Sequence, residues 1–384
     1  MRFGLLGDAI LLVPALRDLR DRLDRAAPDA PRARIDVLVT PLQAPILARL
    51  LADGTVDALV TWAAGDLTAL HVARHPHAWR AALATVRKLA SRRYDLAISC
   101  YGRLGSAVAV LAGIPRRAGI ATEGFPGTLT HAAPGHRYES GWHEAAHGIA
   151  AVRTALPDPA DVPPPTGMAP DPTAGGRHRL PVDPAEGRAA RARLDLPADT
   201  PLVVLHPGAT NGSAKRWPAA SWATVAASLA GLGTTVVIVG GPEDQALGAV
   251  IARAAGSEAP PPARRAIHDR TGRTTIDDLA GLLVAADVVV TGDSGPLHLA
   301  VALDRPVVAI HGPTDPSICG PVTGAGPRVA ILVADLPCRP CYSLARMADC
   351  PLGHTLCQHL VLPRDVLGAI ARMTPADITP GMAP

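Results

Sequence analysis

The second half of the chain alternates short runs of β-branched apolar residues with alanine-rich stretches. The helical stretches lie at Ala219–Leu232 and Ile276–Ala286. The apolar runs are Leu202–Leu205, Thr235–Val239, Val288–Thr291 and Pro306–Ile310. Continuous apolar strands that alternate with helices are typical of a parallel sheet covered on both faces. This half is therefore predicted to form a doubly wound α/β domain.

The first half shows the same alternation less sharply. A helix is predicted from about Leu11 to Leu23, with leucines repeating on one face, and Pro14 is tolerable there because it falls in the first turn. Strands are predicted at Ile35–Val39, Ala58–Val60 and Leu96–Ser99. A chain of 384 residues is long enough for two such domains.

A proline-rich stretch from Pro157 to Pro184 separates the two halves and resists both helix and sheet. We predict an N-terminal domain over residues 1–160, a linker over 161–184 and a C-terminal domain over 185–384. The alternative is a long surface loop inside one domain. Two doubly wound domains joined by a linker would place a ligand cleft between them.

The start of the chain departs from the usual doubly wound pattern. Gly7-Asp8 leads directly into the first helix, and only Arg2–Leu6 precedes this turn, where a full strand is expected. Two interpretations remain open. Either the first strand is a short edge strand, or the assigned start codon lies inside that strand.

Charge and hydropathy narrow the class of protein. The 37 basic and 34 acidic residues give a net charge of +3. This near balance argues against a nucleic-acid binder, which would show a clustered basic surface. A local basic patch would still suit a phosphorylated or membrane-bound substrate. No apolar run reaches the ~18–20 residues that span a bilayer, and no signal-peptide pattern is present, so we expect a cytoplasmic protein.

The strongest motif is the segment Thr291–His298, which follows an apolar strand and opens a helix. Ligands bind at the carboxyl ends of parallel strands. Ser294 is placed to cap the helix, and the backbone N–H groups around Gly295 suit a phosphate. Asp293 is placed to accept hydrogen bonds from sugar hydroxyls, and His298 lies one turn further on. The alternative is an ordinary capped helix with a packing histidine.

A second motif, His206–Pro218, follows the strand at Leu202–Leu205. Gly208 and Gly212 would let the backbone approach a ligand closely. Thr210 and Asn211 offer short polar groups. The segment thus has the composition of a ligand-binding loop.

The same segment carries Lys215 and Arg216, which are placed to neutralise a diphosphate leaving group. Glu243 lies at the next helix start and would bind ribose hydroxyls, by the logic of acidic residues in dinucleotide folds. Its alternative role is to stabilise the helix dipole. A third loop, His311–Pro316, follows another strand and would reach the same sheet edge.

Asp8 is the candidate general base, since it lies at a helix N-terminus bordering the expected cleft. An Asp with an ordinary pKa near ~3.9 is a weak base, but it can act when the proton leaves late. The alternative is a simple N-cap aspartate.

Four of the six cysteines cluster late in the chain: Cys338, Cys341, Cys350 and Cys357. Their C-x2-C start is compatible with a structural metal site, but the spacing of the second pair is not that of a common zinc site. Reduced buried thiols are the alternative. No catalytic metal and no cofactor are expected.

The chain resembles glycosyltransferase family 9, the ADP-heptose:lipopolysaccharide heptosyltransferases, over nearly its whole length. The segments that carry the resemblance are GDAILLVPALRDLR, HPGATNGSAKRWP, LAGLLVAADVVVTGDSGPLHLAVALDRPVVAIHGPTDP and the cysteine-containing tail. The resemblance implies a GT-B fold, in which two Rossmann-like domains, one for the acceptor and one for the donor, face a central cleft. It also implies an inverting, metal-independent transfer of heptose from ADP-heptose.

By position, the resemblance makes Asp8 the general base and Lys215 the residue that holds the diphosphate. It brings Glu243 to the ribose and Thr274 near the adenine. The remaining donor-binding residues that it implies are Thr210, Asn211, Asp293, Ser294, Gly295 and His298.

The leading hypothesis is a heptosyltransferase for the lipopolysaccharide inner core that acts peripherally at the cytoplasmic face of the inner membrane. The acceptor is then lipid-linked or a small glycan. Alternatives are a family 9 enzyme with another nucleotide sugar or a soluble natural-product acceptor, a nucleotide-sugar-binding protein without turnover, and a sugar-nucleotide epimerase. The segment from Thr122 to His147, in the half expected to bind the acceptor, matches no family pattern.

Overall fold

A computed structural model describes residues 5–65, 74–100, 104–135, 140–159, 169–210, 212–323, 328–342 and 349–373. The chain divides into two compact units, Met1–Pro181 and Val182–Pro384. The division falls inside the segment predicted as a linker. Part of that segment packs on the first unit, because the Arg177 guanidinium donates to Asp21 Oδ2 at 2.8 Å.

The first unit contains two small parallel sheets. The first pairs β1 with β2, and the second has the order β3-β4-β5. The strands are β1 Asp36–Val39, β2 Ala58–Thr61, β3 Leu96–Ser99, β4 Arg116–Ile120 and β5 His131–Ala133. The helices are α1 Leu6–Ala26, α2 Ala44–Leu47, α3 Arg49–Ala52, α4 Pro76–Ser91, α5 Leu104–Leu111 and α6 Glu144–Ala155.

Helix α1 begins at Leu6, five residues before the predicted start at Leu11. Pro14 therefore lies inside the helix and not in its first turn, so the expectation for this proline was wrong. The helix continues because Leu12 and Leu16 are buried, and this burial outweighs the hydrogen bond that a proline cannot donate. Helix α6 packs closely on α1, since a Cβ on Gly148 would come within 3.1 Å of the Ala15 Cβ.

The second unit contains one six-stranded parallel sheet in the order β11-β10-β9-β6-β7-β8. Its strands are β6 Leu202–His206, β7 Thr235–Ile238, β8 Ile267–Asp269, β9 Val288–Gly292, β10 Val307–His311 and β11 Val329–Val333. The helices are α7 Pro184–Arg193, α8 Ala219–Gly231, α9 Gln245–Glu258, α10 Ile276–Ala285, α11 Gly295–Ala302, α12 Pro316–Cys319, α13 Leu356–His359 and α14 Pro363–Met373. The predicted parallel sheet is thus confirmed for this half.

The apolar runs became fully buried strands because helices cover both faces of the sheet. Strands β6, β7, β9 and β10 are buried at every position. The prediction missed the two edge strands, which lack a continuous buried run. Strand β8 is half-buried throughout, and β11 has three half-buried and two exposed positions.

The order of this sheet places β6 beside β9, although β7 and β8 lie between them in sequence. The chain goes to one edge through β7 and β8 and then returns to the other side of β6. Loops that leave neighbouring strands in opposite directions open a crevice at the carboxyl ends, and ligands bind there in this class of sheet. In the described part of the chain no helix is long and apolar enough to cross a bilayer.

Candidate functional site

The loops after β6 and β9 meet at the point where the strand order reverses. Lys215 lies in a short 3-10 turn, Ser213–Lys215, after β6, and Asp293 follows β9 directly. Lys215 Nζ donates to Asp293 Oδ2 at 2.8 Å, with the two side chains 13% and 8% exposed. The Nζ also lies 4.4 Å from the centroid of the Tyr342 ring, so a carboxylate and an aromatic ring hold the ammonium.

Both members of this pair are charged. Burial alone would raise the pKa of Asp293, but the Lys215 ammonium lowers it below its ordinary value. Burial alone would lower the pKa of Lys215, but the Asp293 carboxylate raises it. The site therefore holds a fixed cation of the kind that stabilises an anionic leaving group.

Two histidines lie close enough to Asp293 to influence its charge. His298, in α11, and His311, at the end of β10, both help to lower the pKa of Asp293. His311 is fully buried, and its Nδ1 lies 3.3 Å from Thr314 Oγ1. Burial lowers the pKa of His311, although the Asp293 carboxylate opposes this shift. The three loops that were predicted to converge thus contribute groups to one site.

Ser294 occupies the N-cap position of α11, but its side chain makes no capping hydrogen bond. The prediction of a capping serine was wrong in this respect. Its Oγ lies 3.0 Å from Thr291 Oγ1 and 3.2 Å from His206 Nδ1. Burial lowers the pKa of His206 to about 4, so this imidazole is neutral near pH 7. Gly295 is the first residue of α11, as the sequence predicted.

Arg216 pairs with a second carboxylate, that of Asp244. Its guanidinium lies 3.5 Å from Asp244 Oδ1, and Asp244 is 4% exposed. A Cβ on Gly208 would come within 2.2 Å of Asp244 Oδ2. Gly208 therefore makes room for the Asp244 carboxylate, and its predicted approach to a ligand stays a prediction. Gly212 has a φ of 122°, a conformation that favours glycine.

The remaining predicted donor residues are dispersed along the carboxyl edge. Thr210 and Glu243 are exposed, and Glu243 raises the pKa of the nearby His206 against the larger effect of burial. Thr274 is half-buried and follows β8. Asn211 lies outside the described residues. Their roles stay predictions.

Asp8 lies in the first unit, in the first turn of α1. It is not the N-cap residue, which is Leu5. Its Oδ2 accepts the Leu5 backbone N–H at 2.8 Å. The carboxylate is therefore held by the backbone at the start of the helix, and its role as a base stays a prediction.

The cysteine-containing segment lies against the loop that carries Lys215. Cys338, Cys341, Cys350 and Cys357 line one cavity of about 20 Å³, together with His354 and Ala214. Gln358 Nε2 donates to the Ala214 carbonyl at 3.3 Å, and Ser213 Oγ donates to Asp349 Oδ1 at 2.6 Å. None of the six cysteines, all of which lie among the described residues, is joined in a disulfide.

The two alternatives for these cysteines, a structural metal site and reduced thiols, both stay predictions. Among the described residues, no three His, Cys, Asp or Glu side chains are grouped closely enough to hold a metal ion. Cys357 is buried, and burial raises the pKa of its thiol. Cys338, Cys341 and Cys350 are half-buried.

Sequence reasoning missed three residues of the site: Tyr342, Asp244 and Gln358. Tyr342 follows Cys341 directly, in a segment that drew attention only for its cysteines. Each of the three acts on a residue in the loop after β6, and Tyr342 and Gln358 do so from far along the chain. A local sequence motif does not predict contacts between residues so far apart in the chain.

The parallel sheets and their carboxyl-edge loops place the chain among the doubly wound α/β proteins. The model of glycosyltransferase family 9 (heptosyltransferase) matches residues 82–350. The chain belongs to this family, so the resemblance seen in the sequence motifs is confirmed.

Curated relatives match a shorter stretch. Lipopolysaccharide heptosyltransferase 2 of Salmonella typhimurium is 34% identical over 145 residues, 38% of this chain and 40% of that protein. Lipopolysaccharide heptosyltransferase 2 of Escherichia coli is 33% identical, with the same shares. The chain thus matches about two fifths of the length of these relatives.

Solved structures match nearly the whole chain. The structure of the E. coli ADP-heptose lipopolysaccharide heptosyltransferase II superposes with a TM-score of 0.71 at 23% identity, covering 97% of this chain and 98% of that one. E. coli heptosyltransferase WaaC with ADP gives a TM-score of 0.65 at 18% identity, with 97% and 100% covered. The predicted GT-B fold class is confirmed.

Proposed function

We propose that this protein is an inverting glycosyltransferase that transfers heptose from ADP-heptose to a hydroxyl of the lipopolysaccharide inner core. The observation that carries the proposal is the buried pair of Lys215 and Asp293 at the reversal point of the sheet. A nucleoside diphosphate leaves with added negative charge, and a fixed ammonium in a partly dehydrated site stabilises that charge. The family of the chain supports the choice of sugar.

In the proposed reaction, the acceptor oxygen forms a bond to the anomeric carbon while the bond from that carbon to the diphosphate oxygen breaks. The acceptor proton passes to Asp8, and the electron pair of the broken bond leaves with ADP. The Lys215 ammonium stabilises the negative charge that develops on the diphosphate. Asp293 holds Lys215 and accepts a hydrogen bond from a sugar hydroxyl.

The base of the nucleotide and its ribose are proposed to lie along the loops after β7 and β8. Glu243 follows β7 and would accept hydrogen bonds from ribose hydroxyls, and Thr274 follows β8. Strands β7 and β8 lie on one side of β6 in the strand order, and β10, which carries His311, lies on the other side. The nucleotide and the sugar would therefore occupy different ends of the same edge.

The acceptor is proposed to be a lipid-linked oligosaccharide. Such an acceptor implies contact with the cytoplasmic face of the inner membrane, where the protein would act peripherally. A small soluble glycan is the alternative acceptor, and the two are separated by assaying the enzyme with each.

The test is ADP release from ADP-heptose, with and without acceptor. We expect ADP only when the acceptor is present, and a thermal-shift preference for ADP-sugars over UDP- and GDP-sugars. Asp8→Asn is expected to bind the donor but to lose turnover, while Asp29→Asn, an exposed aspartate of the same unit, keeps it. A preference for UDP or GDP sugars, or conversion of the donor without acceptor, would overturn the proposal.

A further inference from the structure

Helix α4, Pro76–Ser91, has large apolar side chains on two of its faces. One face packs into the core of the first unit, where Val86 and Leu89 are buried. A second stripe lies in solvent, since Trp79 is 52% exposed and Leu83 is 49% exposed. These two residues are four positions apart, so they lie one above the other on the helix surface. The helix is thus anchored by one apolar face and presents a second one to solvent.

The exposed stripe of α4 is bordered by cations. Arg80 and Arg87 are exposed next to it on the same side of the helix, and Lys88 is exposed further round. From Arg74 to Tyr94 the chain has six basic residues and no acidic one. Because the whole chain has a net charge of only +3, its positive charge is concentrated in this segment.

The neighbouring helix α5, Leu104–Leu111, adds to the exposed apolar side chains. It packs on α4, and its buried Val108 belongs to the same core cluster as the buried face of α4. At its carboxyl end, Val110 is exposed and Leu111 is 71% exposed, the largest fraction among the large apolar side chains of the described residues. Single exposed apolar residues are ordinary, but a group of them on two adjacent helices indicates a site of interaction.

The composition of this group is that of a helix bound at a membrane surface. Tryptophan prefers the boundary between the headgroups and the acyl chains of a bilayer, and leucine is buried just below it. Arginine and lysine stems lie along apolar surface while their charged ends stay among the lipid phosphates. Lysine is depleted at protein–protein interfaces, whereas both kinds of cation are attracted to an anionic bilayer. The observations therefore favour a lipid surface over a protein partner.

We propose that the first unit docks on an anionic phospholipid bilayer through one surface, which we call the α4–α5 surface. Its members are Trp79, Arg80, Leu83, Arg87, Lys88 and Leu111. The apolar side chains enter the interface, and the cations lie at the level of the lipid phosphates. This surface deepens the proposed function and rests on it for its role, because a lipid-linked acceptor is presented at a bilayer.

The test is co-sedimentation of the full chain with vesicles of phosphatidylglycerol and phosphatidylethanolamine, without donor or acceptor. We expect binding that weakens in about 0.5 M salt, because salt screens charges at a surface. Vesicles of phosphatidylcholine alone should bind far less protein. Leu83→Ala combined with Arg87→Gln should lower the partition coefficient by at least about 10-fold, since one apolar and one cationic contact are lost.

The second unit offers a matched control. Val250 and Arg253 are an exposed apolar residue and an exposed cation on one helix, α9. Val250→Ala combined with Arg253→Gln should leave the partition coefficient unchanged. Because all four exchanged side chains are exposed, the Tm of each double variant should stay within about 2 °C of the parent value.

Tryptophan fluorescence identifies the face that touches the lipid. All five tryptophans lie among the described residues, and Trp79 alone is exposed. Brominated lipid in the same vesicles should quench the fluorescence of the parent chain. Trp79→Phe keeps an aromatic ring and should still bind, but its fluorescence should be quenched much less.

Three results would each overturn the proposal. The first is equal vesicle binding by the double variant of α4 and the double variant of α9. The second is equal quenching of the parent chain and Trp79→Phe. The third is an α4 double variant that still binds vesicles but no longer self-associates in sedimentation, which would assign the surface to a second copy of this chain. The vesicles contain no acceptor, so each result is independent of whether glycosyl transfer is observed.

Discussion

Lys215 and Asp293 are 78 residues apart in sequence and form a 2.8 Å ion pair where the loops after β6 and β9 meet. The pair fixes the position of the ammonium before any donor binds. Because the carboxylate also neutralises it, the ammonium has little net charge to offer until a more strongly charged diphosphate approaches. We expect the pair to contribute to the stability of the second unit as well as to the binding of an anion.

Removing the ammonium should destabilise the protein. Lys215→Met leaves the Asp293 carboxylate buried without its partner, and breaking a buried pair costs about 3–5 kcal/mol. Lys215→Met combined with Asp293→Asn should cost less than the sum of the two single changes, because neither charge is then left alone. Urea unfolding measures both effects. Arg364→Met, at an exposed 4.0 Å pair with Asp365, should change the free energy of unfolding by less than about 1 kcal/mol.

The same Lys215→Met variant should lower kcat/KM for glycosyl transfer by roughly 10²–10³, as loss of one charge-stabilising group does in other enzymes. Arg253→Ala, at an exposed position of α9, is the control and should leave kcat/KM unchanged. An active Lys215→Met variant would remove the residue from the proposed chemistry.

The sheet of the second unit could be predicted from the sequence because its central strands are continuous apolar runs. Runs such as Leu202–Leu205 and Val288–Thr291 are typical of parallel strands that lie between two helical layers. The edge strands β8 and β11 could not be found, since half-exposed strands have no such signature. The sequence also predicted that the loops after these strands lie together, because parallel strands end at the same edge of a sheet.

The partners of the site residues were not predictable. The sequence places Lys215 and Arg216 side by side, and both were predicted to meet the diphosphate. In the structure, Lys215 pairs with Asp293 and Arg216 with Asp244. Both partners, Asp293 and Asp244, come from other loops of the sheet, and the residue types around Lys215 and Arg216 do not predict which carboxylate each of them contacts.

A methyl group at Gly208 should disrupt the loop after β6. The added Cβ would come within 2.2 Å of Asp244 Oδ2, and the carboxylate would have to leave its place beside Arg216. We expect Gly208→Ala to lower the free energy of unfolding by about 1–3 kcal/mol, as overpacking does. Gly256→Ala is the matched control, since no atom lies within 4 Å of its added Cβ. It should stabilise α9 by about 0.5–1 kcal/mol.

His206 should make the second unit sensitive to acid. Burial lowers the pKa of this imidazole to about 4 in the folded chain, while the unfolded value is near 6.5. Between these values the unfolded chain binds more protons, so the stabilising contribution is complete above about pH 6.5 and is lost as the pH falls toward 4. The full loss is about 3 kcal/mol.

Urea unfolding at pH 7, 5.5 and 4.5 measures this loss. His206→Gln should flatten the dependence of stability on pH in this window. His359→Gln, at an exposed position, should leave it as steep as in the parent chain. An equally steep dependence in His206→Gln would assign the acid sensitivity to other groups.

The ring of Tyr342 should assist Lys215. The ammonium lies 4.4 Å from the ring centroid, a distance at which a cation–π contact in a partly dehydrated site stabilises the charge by about 0.5–2 kcal/mol. Tyr342→Leu removes the ring and should lower kcat/KM for ADP release by roughly 2- to 30-fold. Tyr342→Phe keeps the ring and should retain most of the activity. If both variants lose activity equally, the hydroxyl and not the ring is the important group, and the cation–π interpretation is wrong.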